Sequence, residues 1–543
     1  MLRLRTFARM GVSCDFKKNN YRMKRYKAIF AGLVTTLTLL AQTEFDALRY
    51  LQPDLTGTAR YSAMAGAFGA LGADASAIKD NPAGLGIFRS SELSASMNVL
   101  TQSALTDWNR NQVSDGLFKA GFNQLSYVIS SVPTSRLSRS TNLQRSNWAF
   151  SYHRVKDFNR QLRASGGSKV SASATDYMAY FTADIPGAEL QETSTYDPYN
   201  TVSLPWISVA AMNAGLINEF TYDDTGETAY WSSLLEESET VSPSYFLRET
   251  GHMDEYSLSW SGNFNNRLFL GVSATLTDMK YSLKTDYQET FSVVGSMSMN
   301  NYLSSTSTGF GVRIGAIYIP VDNIRLGASL RTPVIYKTDD INYMDLHYNH
   351  GGSNYGTIYT PEGTNNYKLQ SPLVYNLSAA FIQGKKGLVS LEYSNSSNYG
   401  TKMMDSDNNS YNFRYVNDSI GVLFNSQHTI KAGGEYKITD KVALRAGYAY
   451  STSAVKDRIQ KEMNSNTNRT DIEYFVPAST SYITGGIGYR ETEWAFDLAV
   501  VSKMYDEQFF AYNTNKVNAS FRMPAATVSN SNLSFIATVS FRF

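Results

Sequence analysis

LSFIATVSFRF, Leu533–Phe543, ends the chain and decides its class. Leu533, Phe535, Ala537, Val539, Phe541 and Phe543 fall on one face of an extended strand, and Ser534, Thr538, Ser540 and Arg542 on the other. An apolar face backed by a mainly polar one describes a strand of a transmembrane barrel, with lipid outside and lumen inside. Composition agrees. A mean hydropathy of -0.31 is too polar for a bundle of membrane helices, yet 37 Tyr and 28 Phe in 543 residues are many for a soluble domain. A barrel reconciles the two, because only alternate residues meet lipid and aromatic girdles sit at both interfaces. Charged residues make up 18% of the chain, and the net charge of +1 carries no signal for nucleic acid or another polyanion.

The amino end points the same way. From Met23 the chain reads MKRYKAIFAGLVTTLTLLAQT, with basic Lys24, Arg25 and Lys27 before an apolar run from Ala28 to Ala41. Residues 23–42 are therefore expected to be a secretory signal peptide, cleaved near Ala41 or Gln42. Residues 1–22 precede the basic region and read as a mis-assigned start, and the lone Cys14 lies within them. The mature chain is then expected to use no cysteine chemistry. A secreted chain whose last strand ends in Phe543 looks like a substrate of the outer-membrane barrel-assembly machinery. That places it among the lipids of a Gram-negative outer membrane.

Period-two segments give about fourteen strands. In the clearest hairpin Tyr256, Leu258 and Trp260 alternate with serines up to a turn at Asn265 and Asn266, and Leu268, Leu270, Val272, Ala274 and Leu276 carry the apolar face back. A second runs from Phe310 through Ile314 and Tyr318 to a turn at Asp322 and Asn323, returning through Ile324, Leu326 and Leu330. Short turns also fall at 384–387, 439–441 and 491–493. The connections 101–120, 158–253, 284–307, 338–371, 396–426, 453–479 and 505–531 read as long outer loops. The fold class is thus all-β, a transmembrane antiparallel barrel over residues 91–543 whose largest excursion is 158–253. Residues 43–90 precede the first strand on the periplasmic side. They are too long for a lead-in and are expected to plug the lumen.

Residues 57–88, GTARYSAMAGAFGALGADASAIKDNPAGLGIF, are crowded with small residues and close on Asn81-Pro82-Ala83-Gly84, in which Pro82 fixes its own dihedral and restricts Asn81. A signal peptide, this segment with A-D-A-S-A-x-x-x-N-P-A-G, and about fourteen strands ending in Phe together resemble the FadL family of outer-membrane transporters for long-chain fatty acids and other hydrophobic compounds. Leu326–Pro333 (LGASLRTP) and Leu444–Tyr448 (LRAGY) also look like strand segments of that family, whereas Lys79 and Asp80 depart from it. The resemblance implies passive transport without a cofactor. A hydrophobic small molecule is caught among the outer loops, passes to a lumen pocket by the N-terminal hatch, and leaves sideways through the wall. Such a path spares roughly 0.8 kcal/mol per methylene kept from water. It also implies that Asn81, Pro82, Ala83 and Gly84 gate the opening, and that Trp206, Ile207 and Leu216, in the apolar WISVAAMNAGLI stretch, form the outer groove.

A fatty-acid headgroup needs a cation. Alternation turns Arg313 and Arg331 inward at nearly the same height on adjacent strands, where two like charges ask for an anion or for lumen carboxylates. Glu435 and Arg445 point inward as a plain salt bridge. Catalysis has no support: there is no GxSxG elbow between a strand and a helix and no HExxH. Two other readings remain. His347 and His350 in LHYNHGG could serve a haemin receptor, and the 158–253 excursion could serve a surface adhesin or structural barrel.

Overall fold

The alternation of the last strand recurs around a closed wall. The computed structural model describes residues 42–134, 140–167, 170–220, 230–235, 239–293, 295–517 and 522–543. The expected early start, Cys14 and all of the signal segment but Gln42 lie outside these residues. Fourteen antiparallel strands make the barrel. They are β1 (Glu92–Trp108), β2 (Asn111–Ser131), β3 (Leu143–Asp157, continued by Arg160–Ser165), β4 (Val241–Phe264), β5 (Leu268–Phe291), β6 (Ser296–Val321) and β7 (Ile324–Arg331, continued by Ile335–Asn349). The rest are β8 (Gly363–Gln370, continued by Val374–Gln383), β9 (Gly387–Ser397, continued by Lys402–Met404), β10 (Ser426–Lys437), β11 (Val442–Ser451), β12 (Tyr474–Arg490), β13 (Trp494–Phe510) and β14 (Ala526–Arg542). The terminal strand β14 pairs with β1 from Arg542↔Glu92 to Asp107↔Thr527, so no sheet edge remains at the seam.

Turn chemistry fixes the register. Asn265 and Asn266 both take positive φ, 53° and 55°, in the three-residue turn 265–267 that joins β4 to β5 with Phe264 opposite Leu268. Leu268, Leu270, Val272 and Leu276 then face outward, alongside Phe310, Ile314 and Tyr318 on β6. Above Leu276 the outward residues of β5 become Lys280, Ser282, Lys284 and Gln288. The apolar band therefore ends well before the strand does.

This corrects the reading of the outer loops. Residues 101–120, 284–307 and 338–371 are largely strand, with β1 and β2 joined by a tight turn at Asn109 and Arg110. Their outward faces are polar because they stand above the lipid, so the alternation continues while the apolar signal stops. β5 has 24 residues and β6 has 26, about 80 Å of strand at roughly 3.3 Å per residue, against an apolar band about 25 Å tall. On the opposite side β9, β10 and β11 have main runs of 11, 12 and 10 residues, so the wall there stops near the membrane surface. The helix Arg414–Leu423 covers this low rim, turning Val416 and Ile420 into a cluster with Phe413, Phe424 and Leu48.

Trp206–Asn213 is the helix expected of the apolar stretch, and it sits inside the outer cap. Ile207, Ala211 and Leu216 pack with Trp108, Tyr245, Phe291, Met299 and Phe509 from the tops of the tall strands.

Lipid-facing and projecting parts of one strand should respond differently to charge. Val272→Arg is expected to destabilise the barrel by roughly 2–4 kcal/mol in urea unfolding from vesicles. Ser282→Arg, on the same face above the lipid, should be close to neutral.

Candidate functional site

Residues 42–90 run through the lumen. Helix Glu44–Leu48 lies at the outer end, where it meets Arg414–Leu423. A strap, Leu51–Thr56, leads down to the small-residue segment, and the chain leaves at Phe88 to begin β1. The hatch is pinned by inward side chains of the wall. Thr538 Oγ1 accepts from Ala59 N at 2.7 Å, Thr484 Oγ1 donates to Ala63 O at 2.8 Å, and Arg325 Nη1 donates to Leu71 O at 2.6 Å. Glu392 Oε2 accepts from Gly69 N at 2.8 Å, and Asn147 Nδ2 donates to Leu85 O at 2.8 Å. Backbone groups that a lumen would otherwise leave dry are thus satisfied.

Asn81-Pro82-Ala83-Gly84 opens a 3-10 turn, Pro82–Ile87, capped by Asn81 Oδ1 accepting from Ala83 N at 3.1 Å. Asn81 Nδ2 donates to Gly69 O at 2.7 Å and to Ala316 O of β6 at 3.2 Å. The turn lies directly on the wall because β5 and β6 carry Gly271 and Gly315 there. A Cβ at Gly271 would run into the Pro82–Ala83 backbone, and one at Gly315 into Asn81 Oδ1.

Lys79 and Asp80 are absorbed by lumen chemistry. Asp80 Oδ2 accepts from Tyr61 OH at 2.5 Å and faces Lys431 Nζ at 3.7 Å; Lys431 also pairs with Glu392 at 2.8 Å. Lys79 Nζ donates to Thr56 O and stands over the Tyr61 ring at 4.7 Å. Glu435 and Arg445 pair at 2.8 Å, joined by Arg60 of the hatch and Asp497.

Arg313 and Arg331 are cross-strand partners and both face the lumen. Arg313 is already neutralised: Nη1 and Nη2 donate to Glu255 Oε1 and Oε2 at 2.6 and 2.5 Å, with both side chains buried. Arg331 has no hydrogen bond or ion pair among the described residues, and its Nε is buried without a partner. Glu255 escaped notice in the sequence, although alternation from Tyr256 turns it inward beside Ser257.

Two cavities lie above the hatch. One, about 280 Å³, is lined by Asn98, Leu100 and Gln102 of β1, Phe158 of β3, and charged side chains including Arg160 and Glu249. The other, about 180 Å³, is lined by Lys79, Arg313, Arg331, Leu51, Val155 and Val374. Trp206, Ile207 and Leu216 line neither: Trp206 Nε1 donates to Tyr199 O at 3.2 Å, and Ile207 and Leu216 are core of the cap. The helix Trp206–Asn213 buries most of its length in the outer cap rather than opening a groove among the described residues. His347 Nδ1 bonds Thr357 Oγ1 at 2.7 Å, while His350 Nε2 bonds Ala214 O at 2.8 Å.

The wall is interrupted in one place that alternation did not reveal. β2 and β3 pair only from Ser131↔Ser146 up to Gln124↔His153. Above that, β3 slips register between Arg154 and Lys156 and bends inward. Gly251 of β4 permits this with φ of 126°, accepting from Phe158 N at 3.1 Å. Residues 160–165 then lie against the inner face of β1, Thr106 Oγ1 donating to Arg163 O at 2.6 Å and Gln102 Oε1 accepting from Gln161 N at 3.1 Å. Among the described residues, 111–123 of β2 has no strand partner on that side. Among the described residues side chains bridge the gap, including Lys119 to Asp157 at 3.5 Å, Arg163 to Asp115 at 3.4 Å and Asn111 Nδ2 donating to Ser165 O at 3.0 Å.

At the outer end, Asp46 pairs with Arg49 at 3.3 Å and Arg469 at 3.4 Å. Burial alone would raise its pKa, and the Arg469 and Arg49 guanidiniums outweigh that and hold it low. Burial pushes neighbouring Glu44 from 4.5 to about 7.

Residues 255–464 match the family of outer membrane protein transport proteins (OMPP1/FadL/TodX). A Pseudomonas aeruginosa FadL homologue shares the fold, with a TM-score of 0.53 at 13% identity over 91% of this chain and 99% of that one. The toluene transporters TbuX of Ralstonia pickettii and TodX of Pseudomonas putida align at 13% identity over 90% of this chain, and over 99% and 98% of theirs, with TM-scores of 0.46 and 0.47. No curated protein sequence matches. The chain thus has the fold of a FadL-like outer-membrane barrel, and its residues 255–464 carry the match to that family of transport proteins.

Two expectations follow for the plug. Gly271→Ala should overpack the Pro82–Ala83 turn by roughly 1–3 kcal/mol and expose the hatch to protease, whereas Gly400→Ala, with open space around it, should not. Because Glu44 binds its proton more tightly folded than unfolded, docking of Glu44–Leu48 should be strongest below pH 4.5 and weaken as pH rises through about 7. Hydrogen exchange of residues 44–48 reads this, and Glu44→Gln should flatten the dependence.

Proposed function

We propose that the protein carries hydrophobic compounds bearing a carboxylate, long-chain fatty acids foremost, from the outer face to the lumen and out sideways into the membrane. The observation that carries this reading is Arg331, a cation without a partner on the wall of a cavity whose other sides include Leu51, Val155 and Val374. Beside the neutralised Arg313–Glu255 pair, its guanidinium has no counter-charge of its own among the described residues. A carboxylate accepting from it would satisfy a donor that the protein leaves open, and the apolar walls would take the chain.

The interruption between β2 and β3 supports a lateral exit. The unpaired run of β2 begins above the lipid and reaches down to Phe118 and Phe122, which face outward. Unpaired backbone at that lower end is costly in hydrocarbon unless it lines a cavity or is masked, so a break bridged by side chains is a place where the wall yields. The Asn81–Gly84 turn sits on β5 and β6, and the same hatch reaches β2 and β3 through Ile78 and Leu85 packed on Val128 and Ala149. In this reading the turn supports the wall next to the break, and shifts of the hatch relax it. No cofactor is required, because diffusion down a gradient suffices. The cap that buries Trp206, Ile207 and Leu216 is the part that must loosen to admit ligand.

Oleate binding to the purified barrel in detergent tests the reading. Arg331→Gln is expected to weaken binding by roughly 10- to 100-fold, the worth of a hydrogen bond to a charged group. Unchanged affinity would remove Arg331 from the path. Arg313→Ala should instead cost about 3–5 kcal/mol by stranding buried Glu255, seen as loss of the heat-modifiable folded form.

A further inference from the structure

The strap Leu51–Thr56 separates the two cavities; Lys79 donates to Thr56 O and Thr56 Oγ1 donates to Arg154 O at its lower end, and one ion pair holds its middle. Asp54 Oδ1 accepts from Lys503 Nζ at 2.7 Å, Asp54 Oδ2 accepts from Asp157 N at 3.2 Å, and Asp54 N donates to Val155 O at 2.9 Å. One aspartate therefore ties the strap to β13 and to the bulge of β3. Asp157 in turn reaches across the break to Lys119. Asp54 and Lys503 line both cavities, and their side chains are 19% and 22% exposed. Lys503 has no second carboxylate within ion-pair distance among the described residues; the rings of Tyr505 and Tyr482 flank it at 4.8 and 6.0 Å.

We propose that Lys503 is a second carboxylate-binding residue of the transport path, and that Asp54 occupies it in the empty barrel as a stand-in for the ligand headgroup. The proposal rests on the carboxylate reading above and assigns a site that Arg331 does not explain. An incoming carboxylate can take over the attraction to Lys503, so the strap is released with little net loss of Coulomb energy. A neutral hydrocarbon has nothing to exchange. Once Asp54 leaves, the cavities, which already share Gln52, Leu55, Thr480 and Tyr482, become one space. The bulge of β3 at the same time loses its inner support beside the unpaired run of β2. Headgroup recognition and opening of the wall are thereby coupled through a single side chain.

The two halves of the pair make opposite predictions, which separates a ligand role from a structural one. Oleate and oleyl alcohol are titrated against wild type, Asp54→Asn and Lys503→Gln, each checked for the heat-modifiable folded form. Asp54→Asn removes the competitor and should tighten oleate binding by about fivefold, the worth of one partly exposed ion pair, leaving oleyl alcohol unchanged. Lys503→Gln should weaken oleate by a similar factor, again without effect on the alcohol. If wild type binds oleate and both substitutions shift it in the same direction or not at all, the pair is a plain structural clamp and the proposal is overturned. If neither wild type nor Asp54→Asn binds oleate, the carboxylate reading falls and the proposal falls with it.

Discussion

In hydrocarbon every backbone amide and carbonyl must find a partner within the protein, and this requirement organises the whole molecule. It closes β14 on β1 and sets the register of each hairpin. It also explains why the plug is held by hydrogen bonds from wall side chains to hatch backbone, as from Thr484 to Ala63 and from Arg325 to Leu71. Against that demand the departure of β3 from β2 above Gln124 and His153 stands out. The barrel keeps a run of unpaired strand whose lower end, at Phe118 and Phe122, reaches the apolar band, and side chains such as Lys119 and Asp157 bridge it.

The wall is also uneven. Tall strands β4, β5 and β6 carry the cap far above the apolar band, whereas β9, β10 and β11 stop near its upper limit under the helix Arg414–Leu423. The N-terminal segment spans this height from inside, with Glu44–Leu48 beneath that helix and Pro82–Ile87 on the wall below. One continuous stretch therefore touches the outer cap, both cavities, the strand bulge and the wall at the Asn81–Gly84 turn. A change at any of these points is felt along a single chain, with few competing supports between Leu51 and Thr56.

Charge in the lumen is nearly balanced by direct pairing, and the exceptions define the chemistry. Arg313 with Glu255, Lys431 with Glu392, and Arg445 with Glu435 each leave little field behind. Among the described residues Arg331 has no ion-pair partner, nor do Lys79, Lys156 and Asp340, and Lys503 pairs with Asp54 of the strap. Direct pairing is what such an interior requires, because removing a charge from water is costly unless a partner waits.

Period-two alternation in Tyr256–Leu276, Phe310–Leu330 and Leu533–Phe543 is set by the covalent geometry of an extended chain, so strand faces, hairpin turns and the inward aim of Arg313, Arg331, Glu435 and Arg445 were legible in the sequence alone. The small-residue run at 57–88 likewise announced a segment meant to lie against backbone. Alternation does not say how far a strand continues once its outward face turns polar, and residues 284–307 passed for a loop on that account. Nor could it tell a groove from a core: Trp206, Ile207 and Leu216 are apolar in either case, and only packing against Trp108 and Phe509 decided it. Partner choice belonged to the tertiary structure as well. Glu255 finds Arg313 58 residues away and Asp54 finds Lys503 449 away, because closure of the wall, which no local pattern records, brings distant strands to one height around a common lumen.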